Sequence, residues 1–331
     1  MTSADSAPGE RPLVSYVIAT YNRPADVAHA VESVLRQTYE PTEVVVSNST
    51  DAEAHLFADG GPFDREDVHF HHSPERMGAP GSKNVALRKA SGDIVVQLDD
   101  DAVLADQGAT ERVVELFDDH EDVGILAFQS RNFYTGERKP GEIPDPPAFD
   151  LTMDDSYRAT NFVGVGTAFR RETLEAAGLY PDRFVYGLEE MDLSLRVHDA
   201  GYDVLYDPSL VVYHKKSQDG RRSDRETKER LVENRIRIAA RNLPWRYLLF
   251  TTLLYTAYLG VLTRRATSIA TVYRRLLRDR DEILAARAVV DGDTIARIKS
   301  RRTMLYGWWY GPHPRRIVGS RGDLERLTWE F

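Results

Sequence analysis

The chain has 331 residues, 42% of them hydrophobic and 29% charged, with a net charge of −9. This is an ordinary globular composition, long enough for one large domain or a domain with an appendage. There is no cysteine, which excludes disulfides, zinc–thiolate centres and thiol catalysis, and the negative balance argues against a general nucleic-acid binder.

Residues 1–12 are polar, with Pro8, Gly9 and Pro12 and no apolar leader segment, and read as a disordered lead-in. Val14–Ala19 reads as a strand that Thr20-Tyr21-Asn22-Arg23-Pro24 breaks. Val27, Ala30, Val31, Val34 and Leu35 follow at helical spacing, with Asp26 able to cap that helix. Glu43–Ser47 and Val68–His71 read as further strands, and Ser82–Ala90 as a helix stopped near Gly92. Then comes Ile94-Val95-Val96-Gln97-Leu98, a buried-strand pattern running into Asp99-Asp100-Asp101. A helix is expected over Ala109–Asp118, a strand over Val123–Phe128, and a long loop over residues 134–158. Phe162–Phe169 reads as a glycine-punctuated strand, in which Gly164 and Gly166 beside Thr167 would let a ligand approach the backbone. A helix should follow Glu189-Glu190-Met191-Asp192, and strands should cover Val204–Tyr206 and Leu210–Tyr213, ending near His214. From about residue 218 the chain is helical, Arg-rich and aromatic, which divides it into a lead-in (1–12), an α/β domain (13–217) and a helical region (218–331).

Strand, helix, strand, strand, helix, strand describes a parallel, Rossmann-like half. No G-x-G-x-x-G follows the first strand and no phosphate-binding G-x-x-x-x-G-K-[ST] occurs, which argues against a dinucleotide enzyme or a P-loop protein. In open α/β sheets ligands bind beyond the carboxyl ends of the strands, and the three carboxylates stand there. Adjacent acids repel, so a hard divalent cation, Mg²⁺ or Mn²⁺, would relieve them and bring phosphates with it. An acidic turn capping the next helix is the plainer alternative. The second acidic cluster, Glu189/Glu190/Asp192, has its own plain reading as a helix N-terminus favoured by the dipole.

Five segments occur together in order: Ile18-Ala19-Thr20-Tyr21-Asn22-Arg23; the turn Ser47-Asn48-Ser49-Thr50-Asp51; Arg76-Met77-Gly78 with Lys83-Asn84; Leu98-Asp99-Asp100-Asp101; and Tyr186-Gly187-Leu188-Glu189-Glu190-Met191-Asp192. In this the sequence resembles a family 2 glycosyltransferase over about residues 13–217. The resemblance implies a GT-A fold, an α/β architecture with a mostly parallel central sheet flanked by helices. It implies that Thr20, Tyr21, Asn22 and Arg23 line a nucleotide pocket with Asn48, although the family usually has an acidic turn at that last position. Arg76 and Lys83 would face the diphosphate. Asp101 would bind Mn²⁺ or Mg²⁺, with Asp99 on the ribose or the metal and His214 as a further ligand. Asp100, between them, is expected to tolerate change best. Glu190 stands where the family has its catalytic Asp, one methylene longer, which leaves Glu189 and Asp192 as rivals for the base.

The implied activity is inverting transfer of a sugar from a nucleoside-diphosphate sugar to a hydroxyl of a glycan or lipid-linked acceptor. A non-catalytic sugar-nucleotide binder and a sugar-1-phosphate nucleotidyltransferase are the alternatives, the latter disfavoured because no Gly-rich basic loop follows the first strand. Tyr247–Thr263 carries no charge and is flanked by Arg246, Arg264 and Arg265. It contains several Thr and Tyr, which points to an interfacial or core helix rather than a span, and the interfacial reading implies peripheral contact at the cytoplasmic face of a membrane. Trp308 and Trp309 are expected to pack or to sit at such an interface.

Overall fold

The structure is a computed structural model that describes residues 11–48, 50–72, 78–144, 151–216 and 223–300. Strands β1 (Val14–Thr20), β2 (Thr42–Asn48), β3 (Val68–His72) and β4 (Ile94–Asp99) pair in parallel in the order β3-β2-β1-β4. Their side chains alternate between two buried faces: Tyr16 and Ile18 belong to one core, Val17 to the other. Helices α1 (Pro24–Leu35) and α4 (Ala109–Asp119) cover the first face; α3 (Ala79–Lys89), α5 (Arg171–Ala177) and α6 (Glu189–Asp199) cover the second. This is the α/β sandwich expected of a GT-A fold. Both faces are covered over β1, β2 and β4, so these strands are buried almost end to end, while β3 at the sheet edge is partly exposed.

Beyond β4 the sheet changes direction. Strand β8 (Gly166–Arg170) pairs antiparallel with β4 and with β6 (Val123–Asn132), and β9 (Asp203–His214) runs parallel to β6. The short strands β5 (Ala102–Leu104) and β7 (Tyr157–Ala159), absent from the sequence reading, both pair with β9. Three-residue strands carry too little periodicity to be read in advance. A four-residue helix, α2 (Ala54–Phe57), was equally invisible.

Three predicted boundaries change. The two late strands are one, because the Asp207-Pro208-Ser209 turn is absorbed as an irregularity opposite β6, with Asp207 accepting from the Ser209 N–H at 2.9 Å. Helix α3 begins before Ser82 because Pro80 is tolerated in a first turn. Phe162–Val165 is not strand: it bends over the end of β4, where Asp99 N–H donates to the Val165 carbonyl at 3.1 Å.

The C-terminal helices are α7 (Asp224–Asn242), α8 (Trp245–Thr263), α9 (Ala266–Arg278), α10 (Arg280–Ala285) and α11 (Gly292–Ser300). They do not stand apart. Met191 and Leu195 of α6 share one core with Leu231, Ile238, Tyr247 and Ile298. Among the described residues no helix is long and apolar enough to cross a membrane. Trp308 and Trp309 lie outside the described residues.

Candidate active site

The parallel register sets Thr20 beside Asn48 and Ala19 beside Asp99, so the ends of β1, β2 and β4 open on the same edge of the sheet. The acid triplet lies there, between β4 and β5. Because β5 turns back immediately and pairs Ala102 with His214, the histidine is delivered to the side of Asp101. No local pattern encodes that meeting across 113 positions; sheet register does.

The three acids have three different environments. Asp101 is buried, with His214 Nε2 at 3.1 Å from Oδ1 and the Arg23 guanidinium at 3.7 Å from Oδ2. Asp99 is partly open. One ligand atom each from Asp99, Asp101 and His214 lie within 4.8 Å of one another. Two carboxylate oxygens and an imidazole nitrogen fit a divalent cation, and the mixed oxygen–nitrogen set suits Mn²⁺ better than Mg²⁺. Asp100 corrects an expectation. It is buried, accepts from the Thr20 hydroxyl at 2.9 Å and pairs with Arg23 at 2.9 Å, so it is built into the base of the site and is not the tolerant member. Burial outweighs Arg23 and raises its carboxyl to about 7.

His214 has a second partner that the sequence reading missed. Its Nδ1 lies 2.7 Å from Glu142 Oε2, on a short turn in the long loop. The Ser130 hydroxyl donates to the same oxygen at 2.7 Å, and Lys216 approaches the other at 3.4 Å. Burial alone would lower the imidazole's pKa, but Asp101 and Glu142 together raise it to about 9. Burial would likewise raise Glu142, yet the His214 contact holds it down at about 2.

Asp99 also belongs to a second group. Lys83, buried on α3, lies 3.2 Å from its Oδ1. Gln97 donates to the Gly164 carbonyl at 2.8 Å and accepts from the Tyr180 hydroxyl at 2.8 Å. A Cβ at Gly164 would come within 2.7 Å of Glu190 Oε1, 2.9 Å of Gln97 Nε2 and 2.9 Å of Lys83 Nζ. A side chain there would displace all three, so Glu190, Lys83 and Gln97 converge on one spot above the end of β4. The chain reaches α6 through Gly187 and Leu188, both left-handed at φ +76° and +68°. For a leucine that conformation costs about 1–3 kcal/mol, and it aims the first helical turn at this spot.

The three acids of that turn separate. Glu190 is half-buried and faces Gly164. Glu189 is buried, and its Oε2 has no hydrogen-bond partner among the described residues. Burial raises both carboxyls; Glu190's charge raises Glu189 further, while Lys83 draws both down. Asp192 is excluded from the base role. It is fully buried and held by Arg196 at 2.9 Å, Arg241 at 3.2 Å and the Asn242 amide at 2.7 Å, facing the helical region.

Around the nucleotide edge, Thr20 is spent on Asp100, and Arg23 on Asp100 and Asp101. Asn48 is buried rather than presented: its amide donates to Glu53, and its carbonyl accepts from the Thr50 N–H at 2.8 Å. Glu53, fully buried and also accepting from the Arg23 N–H, ties the first two strand ends together and was not singled out from sequence. Tyr21 remains partly exposed, and Asn22 takes a left-handed φ of +58°. Gly166 and Thr167 do not line a pocket. A Cβ at Gly166 would meet Val212 and Phe128 in the core, and buried Thr167 donates to the Val163 carbonyl at 3.0 Å. Arg76 lies outside the described residues.

Residues 15–178 match the model of glycosyl transferase family 2. Residues 15–178 belong to that family. The chain is 26% identical over 226 residues to an O-antigen chain rhamnosyltransferase, WbaN, of Salmonella anatum, covering 61% of this chain and 66% of that protein, just under two thirds of the relative's length. It is 27% identical over 218 residues to a glucosyl-dolichyl phosphate glucuronosyltransferase of Haloferax volcanii, covering 61% of this chain and 69% of that one. Among solved structures it resembles the mannosyltransferase PcManGT from Pyrobaculum calidifontis, in complex with GDP-Man and Mn²⁺ (TM-score 0.54, 21% identity, 98% of this chain and 86% of that one). It also resembles S. aureus TarS in complex with UDP-GlcNAc (TM-score 0.58, 15% identity, 90% and 87%). At these identities the structural likeness speaks to the fold.

Proposed function

We propose that this chain is an inverting, metal-dependent glycosyltransferase that takes a sugar from a nucleoside-diphosphate sugar to a hydroxyl of a glycan or lipid-linked acceptor. The observation that carries the reading is that Asp99 joins two groups: the Asp99/Asp101/His214 donor set on one side and the Lys83–Glu190 cluster on the other. A diphosphate bound by the first would place its sugar at the second.

Asp99, Asp101 and His214 would hold Mn²⁺ or Mg²⁺, which when bound offsets the charge that builds up on the departing diphosphate. Lys83 adds fixed positive charge beside it. Glu190 takes the proton from the acceptor hydroxyl as that oxygen forms its bond to the anomeric carbon. The bond from that carbon to the β-phosphate oxygen breaks, and the nucleoside diphosphate leaves with the electron pair. A single displacement inverts the anomeric configuration. Glu189, deeper and held neutral by burial, keeps the local charge to one carboxylate.

The test is a donor screen with and without Mn²⁺, reading nucleoside diphosphate release and acceptor glycosylation. Turnover of at least one donor that disappears on chelation is expected. Donor binding without turnover for any donor–acceptor pair would instead favour the non-catalytic reading.

Glu142 follows as a positioning residue for the metal. Its carboxylate fixes the His214 ring so that Nε2 faces Asp101, the arrangement in which outer carboxylates raise ligand basicity. Since a ligating Nε2 must be free of its proton, Mn²⁺ affinity should climb as pH rises toward the raised His214 value of about 9. In Glu142→Gln that climb should flatten, and affinity at the alkaline end should fall about 10- to 100-fold by calorimetric titration. An unchanged profile would remove Glu142 from the site.

A further inference from the structure

We infer that the outer face of α8, with the arginines at its end, docks on an anionic lipid bilayer. The inference does not depend on the transferase reading.

Helix α8 is apolar on both sides. Tyr247, Thr251, Tyr255 and Leu259 are buried, and Tyr255 and Leu259 pack with Val232 and Ile236 of α7. Two residues further on, about 200° around the helix, lies the opposite stripe. Trp245, Leu249, Leu253, Ala257 and Val261 recur every fourth residue on it, and all are exposed. Leu249 and Leu253 are each 64% exposed and Val261 73%. The stripe runs about 24 Å along the helix. A surface helix of a water-soluble domain ordinarily carries charge on its outer side; a helix apolar all round is covered by something.

Charge identifies the cover. Helix α8 contains no acidic residue, in a chain whose net charge is −9. Its C-terminal end carries exposed Arg264 and Arg265, and the outer face of α9 carries exposed Arg274; none of these three makes an ion pair among the described residues. Elsewhere arginines are consumed: Arg237 by Glu233, Arg275 by Glu229 and Glu233. Exposed apolar side chains bordered by unpaired cations match the interface of a bilayer with anionic headgroups, apolar residues entering the acyl boundary and guanidinium groups meeting phosphate. The helix lies along the surface and does not cross it, since it is not apolar enough to span.

The experiment is co-sedimentation of the full chain with vesicles of phosphatidylcholine alone and with 30–40% phosphatidylglycerol added (roughly; the anionic fraction sets the attraction). The anionic vesicles should bind at low salt and release as salt rises, with little binding to the neutral ones. Leu249→Glu with Leu253→Glu should weaken binding at least about tenfold. Arg264→Glu with Arg265→Glu should weaken it too and flatten the salt dependence. Circular dichroism and melting temperature should match wild type in both. Indifference of the wild-type chain to anionic vesicles at low salt overturns the inference. So does a concentration-dependent dimer that the Leu249→Glu/Leu253→Glu pair dissolves while vesicles are ignored, which would assign the face to a second copy. Loss of vesicle binding leaves nucleoside diphosphate release in solution untouched, so failure here is distinguishable from failure of the transferase reading.

Discussion

Asp101→Ala should lose Mn²⁺ binding and lower donor turnover about a thousandfold or more. The carboxylate supplies one of three donor atoms, and the metal's charge stabilisation in the transition state is worth several kcal/mol. The replacement also strips His214 Nε2 of its partner at 3.1 Å and removes one of the carboxylates that hold Arg23. The effect on fold should be smaller than the effect on activity, because Asp100 still anchors Arg23 and Thr20. Calorimetry with Mn²⁺, a thermal melt and the diphosphate-release assay separate the two. Wild-type metal affinity in Asp101→Ala would move the ion elsewhere and dissolve the donor set.

Glu190→Gln should leave nucleotide-sugar binding nearly intact and reduce turnover about 10²- to 10⁴-fold, the range of a lost general base. The amide fills the same space above Gly164 but cannot take the acceptor proton. Only ionised Glu190 accepts a proton, so wild-type rate should rise with pH through its folded value. Burial raises that value against the pull of Lys83, so the acidic limb of the profile sits higher than for an ordinary glutamate. That limb should vanish in the residual activity of Glu190→Gln. The comparison is Glu189→Gln, which alters a carboxyl that burial already holds neutral and should cost less. If Glu189→Gln is the slower enzyme, the two residues exchange roles.

Much of this was legible in the chain because parallel strands announce themselves. Val14–Ala19, Glu43–Ser47 and Ile94–Leu98 are apolar runs that end in polar loops, and the chain order alone puts those ends on one edge. The acidic clusters Asp99–Asp101 and Glu189/Glu190/Asp192 were reachable on that basis, whereas Lys83 and His214 were named only through the resemblance to family 2 glycosyltransferases. What could not be read was who faces whom. Glu142 meets His214 across 72 positions and sits in a loop without periodicity. Glu53 looks like any acidic turn residue until burial shows it holding Asn48 and the Arg23 N–H. Two signals were present and passed over. Gln97 is a lone amide inside an apolar strand, and a buried amide needs partners, which Gly164 and Tyr180 provide. Asp192 lies two residues beyond Glu190, about 200° around the helix, so the two could not both face the same ligand.

The clamp on Asp192 has a consequence for modularity. Its carboxylate is buried in α6, two residues beyond Glu190, yet two of its three partners, Arg241 and Asn242, belong to α7. The Asn234 amide of the same helix also donates to the carbonyls of Tyr186 and Gly187, at 2.9 and 2.7 Å, in the turn that aims Glu190. Glu190 and the helical extension are thus one packed unit, although a composition shift falls between them. A chimera joined near residue 218 would keep Arg196 on Asp192 but remove Arg241 and Asn242, and with Asn234 gone the turn that aims Glu190 would lose its hold as well. Exchange between relatives therefore has to move α6 and α7 together.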